Sequence, residues 1–162
     1  MHGVEEPLRG TPHIEVPGWG KNPRDSIERE CERRGRDNVV AGCMSLLNGK
    51  SADAELIYAL GGHPARWVFT GDAPGPDYWL RVWAARGLLW VWDDAALTCI
   101  RTALDDDAWR VREMALRVVA KHRLADAAPA VAALRSDPNA RVASAASRAH
   151  ARLEQSAEEG TS

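Results

Sequence analysis

The C-terminal half of this chain repeats itself at a spacing of 31 residues. Three columns of residues show the repeat: Arg86, Arg117 and Arg148; Leu80, Val111 and Val142; Ala84, Ala115 and Ala146. A fixed period of roughly 20–50 residues indicates stacked units of supersecondary structure, because a unit of this size cannot bury its apolar face alone. The repeat favours a protein that works through a surface rather than through a buried pocket.

Apolar residues within each repeat recur at i, i+3, i+4 and i+7, the spacing of one face of an α-helix. The pattern predicts helices at 77–92, 94–104, 107–121, 127–135 and 138–153. No segment alternates with period 2 for long enough to predict a strand. Four sites lie where helix N-caps are expected, namely Asp93, Asp106 or Asp107, Asp126 and Asp137.

The N-terminal part has a different pattern. Residues 1–22 are rich in proline and glycine and predict an irregular arm. Residues 23–62 predict a helical N-terminal cap, with one helix from Asn22-Pro23 to near Gly35, a second at 39–47, and a third at 52–60 capped by Ser51. The repeats would then occupy 63–153, followed by a flexible tail at 154–162.

Composition restricts the class of protein. The formal net charge is −2, which argues neither for nor against a nucleic-acid or membrane partner. No apolar run reaches about 18 residues, so no spanning helix is predicted, and the N-terminus lacks the features of a signal peptide. Cys31, Cys43 and Cys99 form an odd, widely spaced set, which favours free thiols in the cytoplasm.

Two segments carry a family resemblance. Residues 107–116 and 137–146 each contain an aspartate at a turn, then a valine (Val111 or Val142), and then a spaced alanine. They resemble HEAT repeats, and most closely the short type named after phycobilisome lyases. The resemblance covers roughly 63–153 and implies an all-α fold, an α-solenoid (α–α superhelix) of about three helix pairs. Ala143 departs from the pattern, because the family has arginine after Val142.

The same resemblance implies a structural network in the turns. In HEAT repeats an arginine commonly binds a turn carboxylate of a neighbouring unit. Here it implies that role for Arg81 and Arg112, with the carboxylates Asp106, Asp107 and Asp137. Such a guanidinium holds two turns together in a bidentate manner.

The polar face of the repeat helices carries a second candidate site. Six cations fall on equivalent positions of two helices: Arg110, Arg117 and Lys121 on one, and Arg141, Arg148 and Arg152 on the next. If these helices line the concave side, as in the family, the cations form a basic strip that suits phosphates or an acidic peptide. The alternative is a solvated face on which Glu113 pairs with Arg117 at i,i+4.

The first long helix is apolar on nearly all sides. Its equivalent polar face consists of Trp79, Val82, Ala85, Arg86, Leu89 and Trp90. Such a helix must be covered. The cover is either residues 38–69, with Trp19, or a partner that binds at Trp79 and Trp90.

No catalytic, metal-binding or cofactor motif is present, and none of these groups is expected. We therefore expect a cytoplasmic, non-catalytic scaffold that binds a protein partner on its concave face. The proposed contact residues are Arg110, Arg117, Arg141, Arg148, Trp79 and Trp90. The alternative is a nucleic-acid-binding protein or a DNA glycosylase-like enzyme, in which Trp90, Trp92 and Asp93 would join the basic strip.

Overall fold

The computed structural model describes residues 22–160, and this part of the chain is built of α-helices without β-strands. The expected irregular arm lies outside the described residues, except for Asn22. The helices are α1 (Pro23–Arg34), α2 (Arg36–Leu47), α3 (Ala54–Gly61), α4 (Trp67–Thr70), α5 (Tyr78–Gly87), α6 (Leu97–Ala103), α7 (Trp109–His122), α8 (Ala128–Leu134) and α9 (Ala140–Gly160). Single 3₁₀ turns precede α4, α6 and α8.

The repeat helices form two layers. Helices α5, α7 and α9 lie side by side, while α6 packs on α7 and α8 packs on α9. The apolar columns of the sequence fill the interface, because Ala84, Val111, Ala115, Val142 and Ala146 are all fully buried. The fold is therefore the expected α-solenoid, in which each helix pair buries its apolar stripe against the next.

The N-terminal helices cover one side of α5. Gly87, at the end of α5, marks where they converge: a Cβ placed there would lie 2.7 Å from Leu60 Cδ2 of α3 and 3.2 Å from Cys43 Sγ of α2. Val82 and Leu89, two apolar residues of the face that required cover, are buried. Segment 23–61 thus supplies much of the cover that the apolar helix needs.

A buried carboxylate joins α1 to α3. The side chain of Glu30 is fully buried and binds Arg33 at 2.6 Å and also Arg34. Arg34 in turn binds both carboxylate oxygens of Asp53, at 2.5 and 2.9 Å. Asp53 also accepts the backbone N–H of Leu56 at 2.9 Å, so Asp53 caps α3. The expected cap, Ser51, was wrong by two residues.

Other helix ends also differ from the expectation. Helix α5 ends at Gly87 rather than at the expected residue 92, and the chain makes consecutive turns over residues 88–91. Helix α9 continues to Gly160, although a flexible tail was expected from 154. This extension has a tertiary contact, because Arg123 Nη1 lies 3.1 Å from Ser156 Oγ and 3.1 Å from Glu159 Oε2. None of the described helices is long and apolar enough to span a bilayer.

Candidate interaction surface

Two arginine–aspartate pairs connect successive turns of the solenoid. Arg81 of α5 binds the carboxylate of Asp106 with Nε at 2.7 Å and Nη2 at 3.2 Å. Arg112 of α7 binds Asp137 in the same way, at 3.0 and 3.1 Å. Each arginine lies 25 residues before its aspartate, so one interaction occurs twice in the 31-residue register.

The two aspartates also organise their own turns. Asp106 accepts the N–H of Ala108 at 2.8 Å, and Asp137 accepts the N–H of Asn139 at 2.8 Å. Burial by itself raises the pKa of Asp137, but the hydrogen bonds from Arg112 and Asn139 outweigh it and lower that pKa. Asp107 contributes its backbone carbonyl, which accepts from Arg112 at 3.1 Å.

Aromatic rings and cations alternate across α5, α7 and α9. The guanidinium of Arg110 lies 5.5 Å from the ring centroid of Trp79 and 4.4 Å from that of Trp109. Arg141 lies 5.5 Å from the same Trp109 ring, and its Nε binds Glu113 at 3.1 Å. Such contacts hold long cationic side chains in place at the protein surface. The expected pairing of Glu113 with Arg117 is therefore not the one observed.

A second group of cations surrounds Trp90. Lys121 Nζ lies 5.1 Å from the Trp90 ring centroid, and the guanidinium of Arg24 lies 5.6 Å from it. Arg86 and Arg117 line the same groove of about 330 Å³. The indole Nε1 of Trp90 is buried and has no hydrogen-bond partner among the described residues. The groove is therefore positively charged around one indole ring.

The exposed cations of this face differ in their partners. Over residues 22–160, Arg148 donates only to the hydroxyl of Ser144, at 2.8 Å. Within the part of the chain that the structure describes, Arg117, Lys121 and Arg152 are exposed and form no ion pair. Arg81 and Arg112 are thus paired with carboxylates, whereas Arg117 and Arg148 have no carboxylate partner among the described residues and remain available to a ligand.

Comparison with known proteins identifies the repeat. Residues 73–151 match the family model for HEAT repeats. The chain is a HEAT-repeat protein. No curated protein and no solved structure shows a significant match to it. HEAT repeats generally serve as scaffolds for protein interactions, and the family is typically non-catalytic.

The HEAT region brings the expected residues together in two sets. Arg81 on α5 and Arg112 on α7 reach the turn residues Asp106 and Asp137. The second set contains Trp79, Arg110, Arg117, Arg141 and Arg148 on α5, α7 and α9, and Trp90 in the turn that follows α5. Trp79 and Trp90 are half-buried, so neither the N-terminal helices nor the repeats cover them completely. Trp19 lies outside the described residues.

Sequence reasoning did not single out Trp109 or Arg24 in this HEAT-repeat protein. Trp109 falls in the same 31-residue column as Tyr78, and this aromatic pair was the available signal. Arg24 had no such signal, because it lies on α1 and meets Trp90 only through the tertiary fold.

The residues suggested for a glycosylase-like site have other structural partners. Trp92 stacks on His122 with a centroid distance of 4.9 Å and donates Nε1–H to Asp94 at 3.0 Å. Asp93 accepts the N–H of Ala95 at 2.8 Å and so caps a 3₁₀ turn. Over residues 22–160, no group of three or more His, Cys, Asp or Glu side chains is placed to hold a metal ion.

Proposed function

We propose that this HEAT-repeat protein is a non-catalytic cytoplasmic scaffold that binds an acidic segment of a protein partner on the face formed by α5, α7 and α9. The observation that carries the proposal is the contrast between the two kinds of arginine column. The turn arginines are neutralised by aspartates, whereas Arg117 and Arg148 have no carboxylate partner among the described residues.

The flanking aromatic rings support a protein partner. Trp79 and Trp90 are half-buried, and each lies under at least one cation. Tryptophan and arginine dominate the energetics of protein interfaces, where an apolar anchor lies inside a ring of polar contacts. Charge complementarity then selects acidic partners and speeds their association.

Charge reversal tests the proposal. The double variant R117E/R148E reverses two charges on the proposed face, and R101E/R135E makes the same change in net charge on α6 and after α8, at exposed arginines. Quantitative affinity purification from the native host should enrich one protein with the wild type and with R101E/R135E, and lose it with R117E/R148E. Equal recovery with both variants would contradict the proposed face.

Nucleic acid is the second candidate, because unpaired cations also bind phosphates. Titration of the purified protein with duplex DNA at two salt concentrations separates the two. Binding that weakens steeply with salt and is lost in R117E/R148E would support nucleic acid. Absence of DNA binding at low salt, together with a face-dependent protein partner, supports the scaffold.

A further inference from the structure

An apolar cavity of about 530 Å³ lies between α5 and the segment that follows α3. Its walls come mainly from three tryptophans and three prolines: Trp67, Trp79, Trp83, Pro64, Pro74 and Pro76. Small-molecule sites typically have volumes of roughly 300–1,000 Å³, with apolar walls and a few polar groups that orient the ligand. The size and lining of this cavity match that class of site.

The walls are held in place before any ligand arrives. Trp83 is buried, and its ring stacks on that of Trp79 with centroids 6.2 Å apart. Phe69 lies on α4 with the wall residue Trp67, and its ring packs against that of Tyr58 of α3 with centroids 5.7 Å apart. Prolines restrict the backbone of the loop that closes the cavity. A preorganised cavity of this kind loses less conformational entropy on binding.

The cationic group of the cavity is Arg86. Its Nη2 donates to the carbonyl oxygen of Leu60 at 2.7 Å, while its buried Nε has no hydrogen-bond partner among the described residues. Burial, and then the neighbouring charge of Arg117, lower the pKa of Arg86. A partly buried cation without a counter-charge is unfavourable, and an added carboxylate would relieve that cost.

The acid at the cavity does not neutralise this arginine. Asp77 also lines the cavity, but its side chain is 89% exposed and lies 3.8 Å from Arg81. Within residues 22–160, Arg86 thus faces apolar rings and a second arginine rather than a carboxylate.

We propose that this cavity binds a small apolar carboxylic acid. Its ring or chain packs against Trp79 and Trp83, and its carboxylate pairs with Arg86. The cavity adjoins the proposed protein-binding face, because Trp79 lines the cavity and Arg86 lies beside Arg117. Binding of a small acid by the isolated chain nevertheless requires no protein partner, so the two proposals can fail separately.

Calorimetric titration of the full chain with two probes tests the proposal. The probes are naphthalene-2-carboxylate and the neutral naphthalene-2-methanol, which share the same ring system. We expect saturable binding of the carboxylate, tighter than that of the alcohol by at least about tenfold, since hydrogen bonds to charged groups are stronger than neutral ones. Arg86→Met should remove this preference and leave the affinity for the alcohol unchanged.

Arg148→Met is the matched control, because Arg148 occupies the same repeat column on α9, outside the cavity. It should bind both probes as the wild type does. The wild-type comparison decides the proposal even if Arg86→Met fails to fold. Equal affinity of the wild type for the two probes, or no saturable binding, would overturn the proposal. A loss of carboxylate affinity in Arg148→Met as large as that in Arg86→Met would also overturn it.

Discussion

Arg112 holds both carboxylate oxygens of Asp137, which lies 25 residues further along the chain. The side chain of Asp137 is nearly inaccessible, with 5% of its surface exposed, and the side chain of Arg112 is 16% exposed. Arg112 Nη1 also donates to the backbone carbonyl of Asp106 at 2.8 Å. One side chain therefore joins the turn before its own helix to the turn of the next repeat.

Breaking this pair should destabilise the whole HEAT stack. Arg112→Met and Asp137→Asn should each lower the free energy of unfolding by about 2–4 kcal/mol, since each leaves a buried polar partner uncompensated. The double variant should lose less than the sum of the two. Urea denaturation at pH 7 measures all three, with the exposed Arg101→Met as control. Strictly additive losses would show that the two side chains are not coupled.

The stability should also fall on mild acidification because of His122. Its Nε2 lies 2.7 Å from the carbonyl oxygen of Leu88, and burial, the largest influence, lowers its pKa below the ordinary value of 6.5. The folded protein therefore binds this proton less readily than the unfolded chain does. The contribution of neutral His122 to the free energy of unfolding is therefore fully present above pH 6.5 and is lost as the pH falls through the lowered pKa.

Urea denaturation between pH 7.5 and 5 checks this expectation, because the stability difference between the wild type and His122→Gln should depend on pH. His63→Gln, at an exposed histidine, is the matched control. A constant difference between wild type and His122→Gln across this range would be incompatible with a neutral buried imidazole.

Cys31 and Cys43 should differ in reactivity. Cys43 is fully buried, and burial raises its pKa to about 12. Cys31 is half-buried and free. Because the thiolate is the reactive form, an alkylating reagent at pH 8 should modify Cys31 well before Cys43, as followed by mass spectrometry of peptides. Cys43 should react only when urea unfolds the protein, and early labelling of Cys43 would place it nearer the surface than the structure does.

Gly61 should resist even the smallest enlargement. A Cβ at this position would lie 2.6 Å from the Trp83 ring and 2.8 Å from the Ala65 Cβ. We expect Gly61→Ala to lower the free energy of unfolding by about 1–3 kcal/mol, the usual cost of overpacking. Thermal denaturation checks it, with Gly160→Ala as the control. Gly160 has open space around it on α9, and alanine favours helix there, so an equal loss in both variants would exclude a steric cause at Gly61.

Helix ends show why local sequence was an incomplete guide. Asp137-Pro138 was the expected start of the last helix, yet the carboxylate of Asp137 binds Arg112, and the side chain of Asn139 accepts the N–H groups of Arg141 and Val142 at 2.9 and 3.3 Å. Several nearby side chains are suitable caps. A contact distant in sequence decides which of them performs the role.

The 31-residue register was determined by the sequence itself. A repeated spacing places equivalent side chains on the same face of successive helices, and the structure brings Trp79 to Arg110 and Trp90 to Lys121 across that spacing. The all-α class and the stacking of α5, α7 and α9 follow from the same periodicity, because each apolar stripe must be buried against its neighbour.

Only the tertiary structure decided that Arg86 has no carboxylate partner among the described residues and which segment covers α5. Arg81 and Arg86 lie on the same helix, yet one binds Asp106 and the other has no carboxylate among the described residues. The charge of a side chain can be read from the sequence, but its partner lies 25 or more residues away and reaches it only when the chain folds. The cover of α5 by α1–α3 likewise depends on packing between segments whose sequences carry no shared repeat.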